Sequence, residues 1–305
     1  MEIKPVNRIA LVQKRNQLIA QSLRPEDMPF SIEDEYPIVL NPQLPQYSYC
    51  MAQDDEVIAH ANIWPRTVTF KENKPDIKVG LIGNVATEEK WRGQGIMRKL
   101  LNQMESEAKK LNLSALILWS DLAQFYQNLG FTSLGTERRI EFRLKNFKPY
   151  ERYLYTIIDP SSFKSYHFSE LLELRPQSPC TINRGISEYR QLSKIPAMGI
   201  FVTMTGNHVE SFLICGKGAD MAGVVHEWGG PPDLIIQGLW EIMNLLRIEQ
   251  ITLLAPSSLG PDYRERFSGI GAHESIHPMA IGKAIQPQFA LNNLQELFVW
   301  GLDSI

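Results

Sequence analysis

The stretch that most constrains the fold is residues 79–131, where continuous apolar runs alternate with one helical pattern. Residues 78–87 are apolar with few polar breaks, which is typical of a strand buried on both faces of a sheet. Residues 114–119 form a second apolar run of strand length. The predicted helix between them presents one apolar stripe, made of Ile96, Leu100, Leu101, Met104, Ala108 and Leu111. The order predicts two parallel strands joined by a right-handed helical crossover.

A turn with two glycines, Gly93 and Gly95, separates the first strand from the helix. Such a turn directs free backbone N–H groups and the positive end of the helix dipole at one point, which suits a phosphate group. Arg92, Arg98 and Lys99 add positive charge. The alternative is an ordinary turn with basic surface residues, and two glycines alone are a weak signal. The dinucleotide fingerprint is excluded because its third glycine is absent.

Tyr126 lies on a second, shorter helical segment that is predicted to end at Gly130. Asp121 precedes this segment and is its predicted N-cap. Phe125, Leu129 and Phe131 are expected to pack the segment, which leaves Tyr126 to face the gap between the two parallel strands. The alternative is a tyrosine packed in the core with its hydroxyl group in water.

These two motifs together resemble the GNAT superfamily of N-acetyltransferases, and the resemblance covers about the first 145 residues. The family pattern for the pyrophosphate of acetyl-CoA has three fixed positions, which Arg92, Gly95 and Met97 occupy here. Met97 departs from the small residue expected, but it still supplies a backbone N–H. The later helix of the family matches the run from Phe125 to Phe131.

The resemblance implies the site residues and the chemistry. Acetyl-CoA would bind to two sets of backbone groups, with Val85, Ala86 and Thr87 along the pantetheine arm, and Arg92, Gly93, Gln94, Gly95, Ile96 and Met97 around the pyrophosphate. Tyr126 would protonate the departing thiolate. The acceptor would be a primary amine, either a small molecule or an exposed amino group, which attacks the thioester directly. Its identity stays open.

The second half of the chain repeats the order of the first half. Residues 199–204, 210–215 and 222–228 read as strands, and a helical stripe and a further strand follow. The stripe consists of Leu234, Ile235, Leu239, Ile242, Met243 and Leu246. The turn before this helix holds two prolines and Asp233, which do not suit a pyrophosphate. We therefore expect a degenerate unit that binds no CoA, in which His226 and Glu227 are structural.

The predicted fold class is therefore α+β, with two tandem GNAT-like domains. Each domain is expected to be a mixed, mostly antiparallel twisted sheet with flanking helices, and the second is degenerate. The predicted limits are residues 1–146, residues 147–285, and an apolar tail of residues 286–305 that packs back on the body. This plan is similar to the enhanced intracellular survival family, without that family's sterol-carrier-like domain.

The general base is the open point of the sequence analysis. Members of the similar family use the terminal carboxylate of the chain, so the carboxylate of Ile305 is one candidate, and Asp303 could reach Tyr126 by the same packing of the tail. Docking of the tail on the second domain is the alternative. Glu88 follows the first strand and is a second candidate base. His60, Asp121 and Glu35 are further candidates, and none of the five leads. Glu88 could simply face solvent, His60 could be a half-buried imidazole with its hydrogen bonds satisfied, and Asp121 most resembles an N-cap.

The N-terminal region adds two expectations. Asn7 is predicted to cap a helix that runs to about Leu23. The acidic cluster Glu33, Asp34 and Glu35 is either a solvated helix start or an acidic rim that attracts a cationic amine.

Composition limits the class of protein. The formal net charge of −3 does not favour a nucleic acid or an anionic membrane as partner. Three widely spaced cysteines do not suggest a disulfide framework or a zinc site, and no apolar run has the length of a signal peptide or a membrane span. A cytoplasmic, metal-independent enzyme is expected, with its oligomeric state open. A non-catalytic acyl-CoA sensor and a purely structural tandem protein are the alternatives.

Overall fold

The computed structural model describes residues 2–5, 9–71 and 74–305. Contacts within the chain divide it into two compact units, each discontinuous in sequence. The first unit comprises Met1–Gly135, Met279–Gln295 and Ser304–Ile305, and the second comprises Thr136–Pro278 and Glu296–Asp303. The domain limits predicted from the sequence remain a prediction. The N-cap predicted at Asn7 lies outside the described residues.

The first unit is a mixed, mostly antiparallel sheet with helices. Its strands are β1 (Glu2–Pro5), β2 (Ser48–Gln53), β3 (Glu56–Phe70), β4 (Ile77–Thr87), β5 (Ala115–Leu118) and the start of β6 (Thr132–Arg143). Its helices are α1 (Ile9–Leu23), α2 (Ile32–Glu35), α3 (Ile96–Lys110) and α4 (Ala123–Gln127). Strands β1 to β4 pair antiparallel, and β4 pairs parallel with β5, as the predicted crossover requires.

Local sequence explains the main elements of this unit. Asp54 and Asp55 have φ of 51° and 64°, the left-handed values that a two-residue type I′ turn needs between β2 and β3. The apolar stripe of α3 is buried as predicted, with one exception. The prediction for Leu111 is wrong, because this residue is the C-cap of α3 and is 42% exposed.

The second unit contains the remaining elements. Its strands are β7 (Thr156–Ile157), β8 (Cys180–Ile182), β9 (Gly199–Thr205), β10 (His208–Cys215), β11 (Val224–Gly229), β12 (Gln250–Pro256), β13 (His273–Ala284, which continues past the unit's limit) and β14 (Leu297–Phe298). Its helices are α5 (Ser165–Leu174), α6 (Ile186–Leu192), α7 (Pro232–Leu246) and α8 (Pro261–Gly269). The antiparallel order β9–β10–β11, then α7, then the parallel strand β12, repeats the plan of the first unit.

The repeat is degenerate at the point where its two parallel strands part. Strands β11 and β12 pair only at Val224 and Val225, and the indole N–H of the fully buried Trp228 then donates to the backbone oxygen of Leu254 at 2.8 Å. A side chain therefore fills the gap between these strands. Asp233, in the first turn of α7, is paired with Arg266 at 3.1 Å.

A buried charge cluster, which sequence reasoning missed, joins the tail to the second unit. Arg184 donates to both oxygens of Glu227, at 2.7 and 2.9 Å, and to both oxygens of Asp303, at 3.0 and 2.7 Å. Tyr189 donates to Glu227 at 2.7 Å. All four side chains are fully buried. Glu227 is therefore structural, as expected, and Arg184 binds the carboxylate of Asp303, which sequence reasoning had considered as a group near Tyr126.

Candidate active site

The candidate site is the place where β4 and β5 part. The two strands pair only over Val79–Ile82 and Ala115–Leu118, and β4 then continues to Thr87. A cleft of about 590 Å³ opens there. It is lined by Ser22, Leu23, Val85, Ala86, Thr87, Trp91, Arg92, Gly93, Gly95, Ile96, Met97, Arg98, Leu122, Phe125 and Tyr126. The lining brings together the glycine turn, the end of β4 and the α4 segment.

The glycine turn is shaped by backbone conformation. Gly93 and Gly95 both have a φ of 74°, which L-residues with side chains rarely adopt. A Cβ atom at either position would meet nothing within 4 Å, so glycine is required for its conformation rather than for space. Gly95 is the N-cap of α3 and makes no side-chain cap. The first N–H groups of α3 therefore have no intrahelical partner and face a cleft, which is the arrangement that binds an anion.

Two arginines add positive charge to the turn. The Nε of Arg92 donates to the backbone oxygen of Thr87 at 3.1 Å, which ties the turn to the end of β4. Arg98 lies in the first turn of α3 and lines the cleft. Gln94 does not line the cleft, and its side chain donates to the backbone oxygen of Lys90 at 2.9 Å. The other eight predicted donor-binding residues line the cleft.

Tyr126 lines the cleft and is also packed in the core of the first unit. It is 3% exposed, and its ring contacts Phe125 and Phe131 edge-on at centroid distances of 5.0 and 5.7 Å. Burial raises the pKa of Tyr126 to about 12, although a hydrogen bond with the side chain of Ser120 works in the opposite direction. The phenol therefore stays protonated throughout the ordinary working range of pH, so its hydroxyl can donate a hydrogen bond.

The start of α4 differs from the sequence prediction. Asp121 is exposed and is not the N-cap; Leu122 holds that position, with no side-chain cap. The hydroxyl of Ser120 instead accepts a hydrogen bond from the backbone N–H of Leu122 at 3.0 Å. The same Ser120 side chain bonds Tyr126, so it fixes both the start of the helix and the phenol. The helix also ends earlier than predicted, at Gln127 with Asn128 as its C-cap, and Gly130 follows with a left-handed φ of 86°.

Three of the candidate bases have other partners. Glu88 does not line the cleft, and its carboxylate lies 2.9 Å from the Nζ of Lys90. Glu35 is 3% exposed and forms an ion pair with Arg24 at 2.5 Å, so it is not part of an exposed acidic rim. His60 is fully buried, and burial lowers its pKa to about 3.

Ile305 lies on β4 in the first unit. A Cβ atom built on Gly83 would come within 2.6 Å of the backbone carbon of Ile305 and 2.8 Å of its backbone oxygen. The residue at position 83 must therefore be glycine for the backbone of Ile305 to rest there. Gly83 directly follows the last residue of β4 that pairs with β5. The structure thus places Ile305 beside the point where the strands part, but not in the lining of the cleft.

Sequence reasoning missed Ser22 and Leu23 as lining residues. They end α1, and their distance along the chain from both motifs left no pattern to find them. In the parts of the chain that are described, no cluster of three or more histidine, cysteine, aspartate or glutamate side chains could hold a metal ion. None of the described helices has both the length and the apolar character needed to cross a bilayer.

A comparison with protein families matches residues 17–131 to the acetyltransferase (GNAT) family. The matched range contains the glycine turn, the end of β4 and Tyr126. The first unit carries a GNAT domain. A comparison with curated protein sequences gives no match.

Solved structures share the fold over nearly the whole chain. One is a conserved protein from Enterococcus faecalis described as a probable N-acyltransferase, with 14% identity and a TM-score of 0.67, covering 94% of this chain and 73% of that one. A GCN5-related N-acetyltransferase from Anabaena variabilis has 12% identity and a TM-score of 0.64, covering 93% and 73%. Eis1 from Mycobacterium abscessus has 10% identity and a TM-score of 0.60, covering 93% and 74%. The predicted GNAT fold class is confirmed.

Proposed function

We propose that this protein is an N-acetyltransferase that moves the acetyl group of acetyl-CoA to a primary amine. The GNAT domain makes acyl transfer the class of reaction. One observation carries the finer proposal: a single cleft joins the glycine turn, the end of β4 that no longer pairs with β5, and the buried phenol of Tyr126. An acyl-CoA donor has a diphosphate, an extended arm and a sulfur atom, and the cleft offers one group suited to each.

The glycine turn would hold the diphosphate. Ile96, Met97 and Arg98 line the cleft at the start of α3, and hydrogen bonds from the first N–H groups of the helix and from Arg98 to a diphosphate would be charge-assisted and so stronger than neutral ones. Val85, Ala86 and Thr87 would lie along the arm of the donor. Beyond Ile82, the edge of β4 that faced β5 has no strand partner in the described chain, so its backbone groups can bond a ligand.

Tyr126 would act as the general acid toward the leaving thiolate. The acceptor must lose a proton as well, because a lysine-like amine titrates near 10.4 and about one molecule in a few thousand is uncharged at neutral pH. Of the two bases predicted from the sequence, Ile305 lies beside Gly83, where the strands part, whereas Glu88 is paired with Lys90 outside the cleft. In a chain that ends at Ile305, this residue carries a carboxylate, and we keep it as the proposed base.

Two assays test the proposal. Acetyl-CoA should raise the Tm in proportion to the logarithm of its concentration above Kd, because a ligand that binds only the folded state stabilises it. Free CoA should then appear when a panel of primary amines is added. Absence of any Tm shift at millimolar acetyl-CoA would refute donor binding.

The second candidate function is an acyl-CoA sensor without turnover. It is favoured by one observation: the residues that line the cleft include no carboxylate, among those that the structure describes. A sensor would show the Tm shift but release no CoA with any amine, and Tyr126→Phe would then change nothing but stability. The assay of CoA release therefore separates the two functions.

Adding one residue after Ile305 tests the proposed base, since it moves the carboxylate away from Gly83.

A further inference from the structure

A cluster of buried polar side chains lies in the first unit beside the end of β4, outside the lining of the cleft. Its members are Arg15, Ser48, His60, Asn62 and Asn84, which are 0%, 1%, 0%, 0% and 5% exposed. They come from α1, β2, β3 and β4. Buried polar groups cost free energy unless they form hydrogen bonds, and nearly all the polar atoms of this cluster form them.

The hydrogen bonds of the cluster fix the orientation of His60. Its Nδ1 lies 2.9 Å from the backbone oxygen of Asn84, which can only accept, so Nδ1 carries the proton. Its Nε2 must then accept, and the hydroxyl of Ser48 lies 3.2 Å away. That hydroxyl in turn accepts from Arg15 at 3.1 Å and from Asn62 at 3.1 Å. The imidazole is therefore a fixed donor toward the backbone of β4.

The backbone that His60 holds is irregular. The pairing of β3 with β4 shifts register between the pairs His60–Ala86 and Asn62–Gly83, so β4 carries an extra residue there. Asn84 lies in this bulge with a φ of 49°, a left-handed conformation that most residues with a side chain disfavour and that asparagine tolerates better than the others. The side chain of Asn84 donates to Asn62 at 3.0 Å, while its buried Oδ1 has no partner in the described chain. The bulge is thus maintained at a local cost, which is typical of a functional position.

The bulge lies directly before the residues proposed to bind the donor. Pairing with β5 ends at Ile82, the bulge includes Asn84, and Val85, Ala86 and Thr87 line the cleft. A shift of one residue in a strand reverses the direction of every following side chain and backbone group. The conformation of Asn84 therefore decides which backbone groups of Val85–Thr87 face the cleft.

We propose that His60 and Asn62 are positioning residues for the transfer reaction: they hold the bulge at Asn84 and so present the backbone of residues 85–87 to the acyl donor. This inference rests on the proposed function. His60 acts through the backbone oxygen of Asn84 and takes no proton from the substrate. Asn62 acts through the side chain of the same residue. If the bulge relaxes, only a fraction of the molecules can bind the donor, and the apparent Kd rises by the inverse of that fraction.

The electrostatics of the cluster agree with a positioning role. Burial lowers the pKa of His60 to about 3; the hydrogen bond to Asn84 raises it, and the charge of Arg15 lowers it further. Two charged or titratable groups of the described chain lie near the imidazole: Arg15 on α1 and Cys50 on β2. Cys50 is the residue that lies opposite His60 in the pairing of β2 with β3. The carboxylate of Glu33 lies 3.5 Å from the guanidinium of Arg15. His60 therefore stays neutral throughout the working range of pH.

The test compares His60→Leu with His60→Asn. Asparagine can place a donor near the position of Nδ1, whereas leucine cannot. We expect His60→Leu to weaken the Kd for CoA about tenfold, equivalent to about 1.4 kcal/mol, and to raise the KM for acetyl-CoA in step. His60→Asn should restore the Kd to within about threefold and leave the pH profile of kcat unchanged. The control is His226→Leu in the second unit, because His226 is equally buried and bonds a backbone oxygen at 2.9 Å. It should leave the Kd unchanged.

Three results would overturn the inference. The first is an unchanged Kd in folded His60→Leu, and the second is an equal loss of affinity in the His226→Leu control. The third is the loss of one limb of the pH profile in His60→Asn, which would make His60 a base. If His60→Leu does not fold, the test is to compare the Kd of Asn84→Gly with that of Asn84→Ala. Glycine adopts a φ of 49° readily and alanine does not, so the alanine variant should bind CoA more weakly. Equal Kd values for that pair refute the inference. Failure of the wild type to bind CoA refutes the proposed function itself.

Discussion

Tyr126→Phe removes one oxygen atom from the candidate site, and its effect can be calculated from the environment of the phenol. The pKa of about 12 exceeds that of a free thiol, near 8.5, by about 3.5 units, which corresponds to roughly 5 kcal/mol. The ordinary pKa values of a tyrosine and a thiol differ by only about 1.5 units. Complete proton transfer to a solvated thiolate is therefore unfavourable, although burial raises the pKa of the thiolate as well and narrows the gap.

We expect Tyr126 to act mainly by a hydrogen bond that strengthens as charge develops on the sulfur. A hydrogen bond to a charged group contributes about 1.5–3 kcal/mol, which corresponds to a loss of roughly 10- to 150-fold in kcat. Because the interaction forms in the transition state, kcat and kcat/KM should fall equally. The Kd for CoA should change less than twofold, and the unfolding free energy should fall by about 1 kcal/mol with the loss of the bond to Ser120.

The assay is steady-state CoA release with isothermal titration of CoA on the same preparations. Tyr49→Phe is the control, since Tyr49 packs against the same core as Tyr126 but does not line the cleft. Its turnover should match the wild type. The reasoning is refuted if Tyr126→Phe keeps its turnover, or if a weaker Kd accounts for the whole loss.

Three further predictions concern the turn and the second unit. Gly95→Ala places a side chain at a φ of 74°, which costs roughly 1–2 kcal/mol, so calorimetry should show a weaker Kd for CoA. The control is Gly206→Ala, which has a φ of 63° and equally free space around its Cβ position, and it should leave the Kd unchanged. Arg184→Met removes the charged partner that Glu227 and Asp303 share, so urea unfolding should show a loss of about 3–5 kcal/mol, whereas Arg266→Met breaks an exposed pair and should cost less than about 1 kcal/mol. Burial alone would raise the pKa of Glu227. Arg184 and Arg175 together lower it by more than burial raises it, so the pKa lies below the ordinary value. This stabilisation should be present above about pH 4.3, and acid titration of the unfolding free energy should show its loss as the pH falls through the lowered pKa.

The sequence predicts elements well where burial follows a simple period. The apolar runs of β4 and β5 and the stripe of α3 are such cases, and the glycine turn is marked by residue type. Leu111 and Leu246 fit their stripes but are exposed, since each lies at the end of its helix. The period of the apolar residues does not show at which residue the rest of the protein stops packing against the helix.

Contacts between distant residues could not be predicted. Ser22 and Leu23 reach the cleft only because α1 packs beside β3 and β4. Arg184 and Asp303 are 119 positions apart, and neither has a neighbour in sequence that reveals its partner. The bulge at Asn84 depends on hydrogen bonds from another strand. The N-cap predicted at Asp121 is wrong because the neighbouring Ser120 accepts the backbone N–H instead.

The measurement that tests the account most directly is a crystal structure with CoA bound. We expect diphosphate oxygens within hydrogen-bonding distance of the N–H groups at Ile96 and Met97, the pantetheine arm along Val85–Thr87, and the sulfur next to the hydroxyl of Tyr126. A cleft that stays empty at saturating CoA, or a sulfur atom remote from Tyr126, would contradict it.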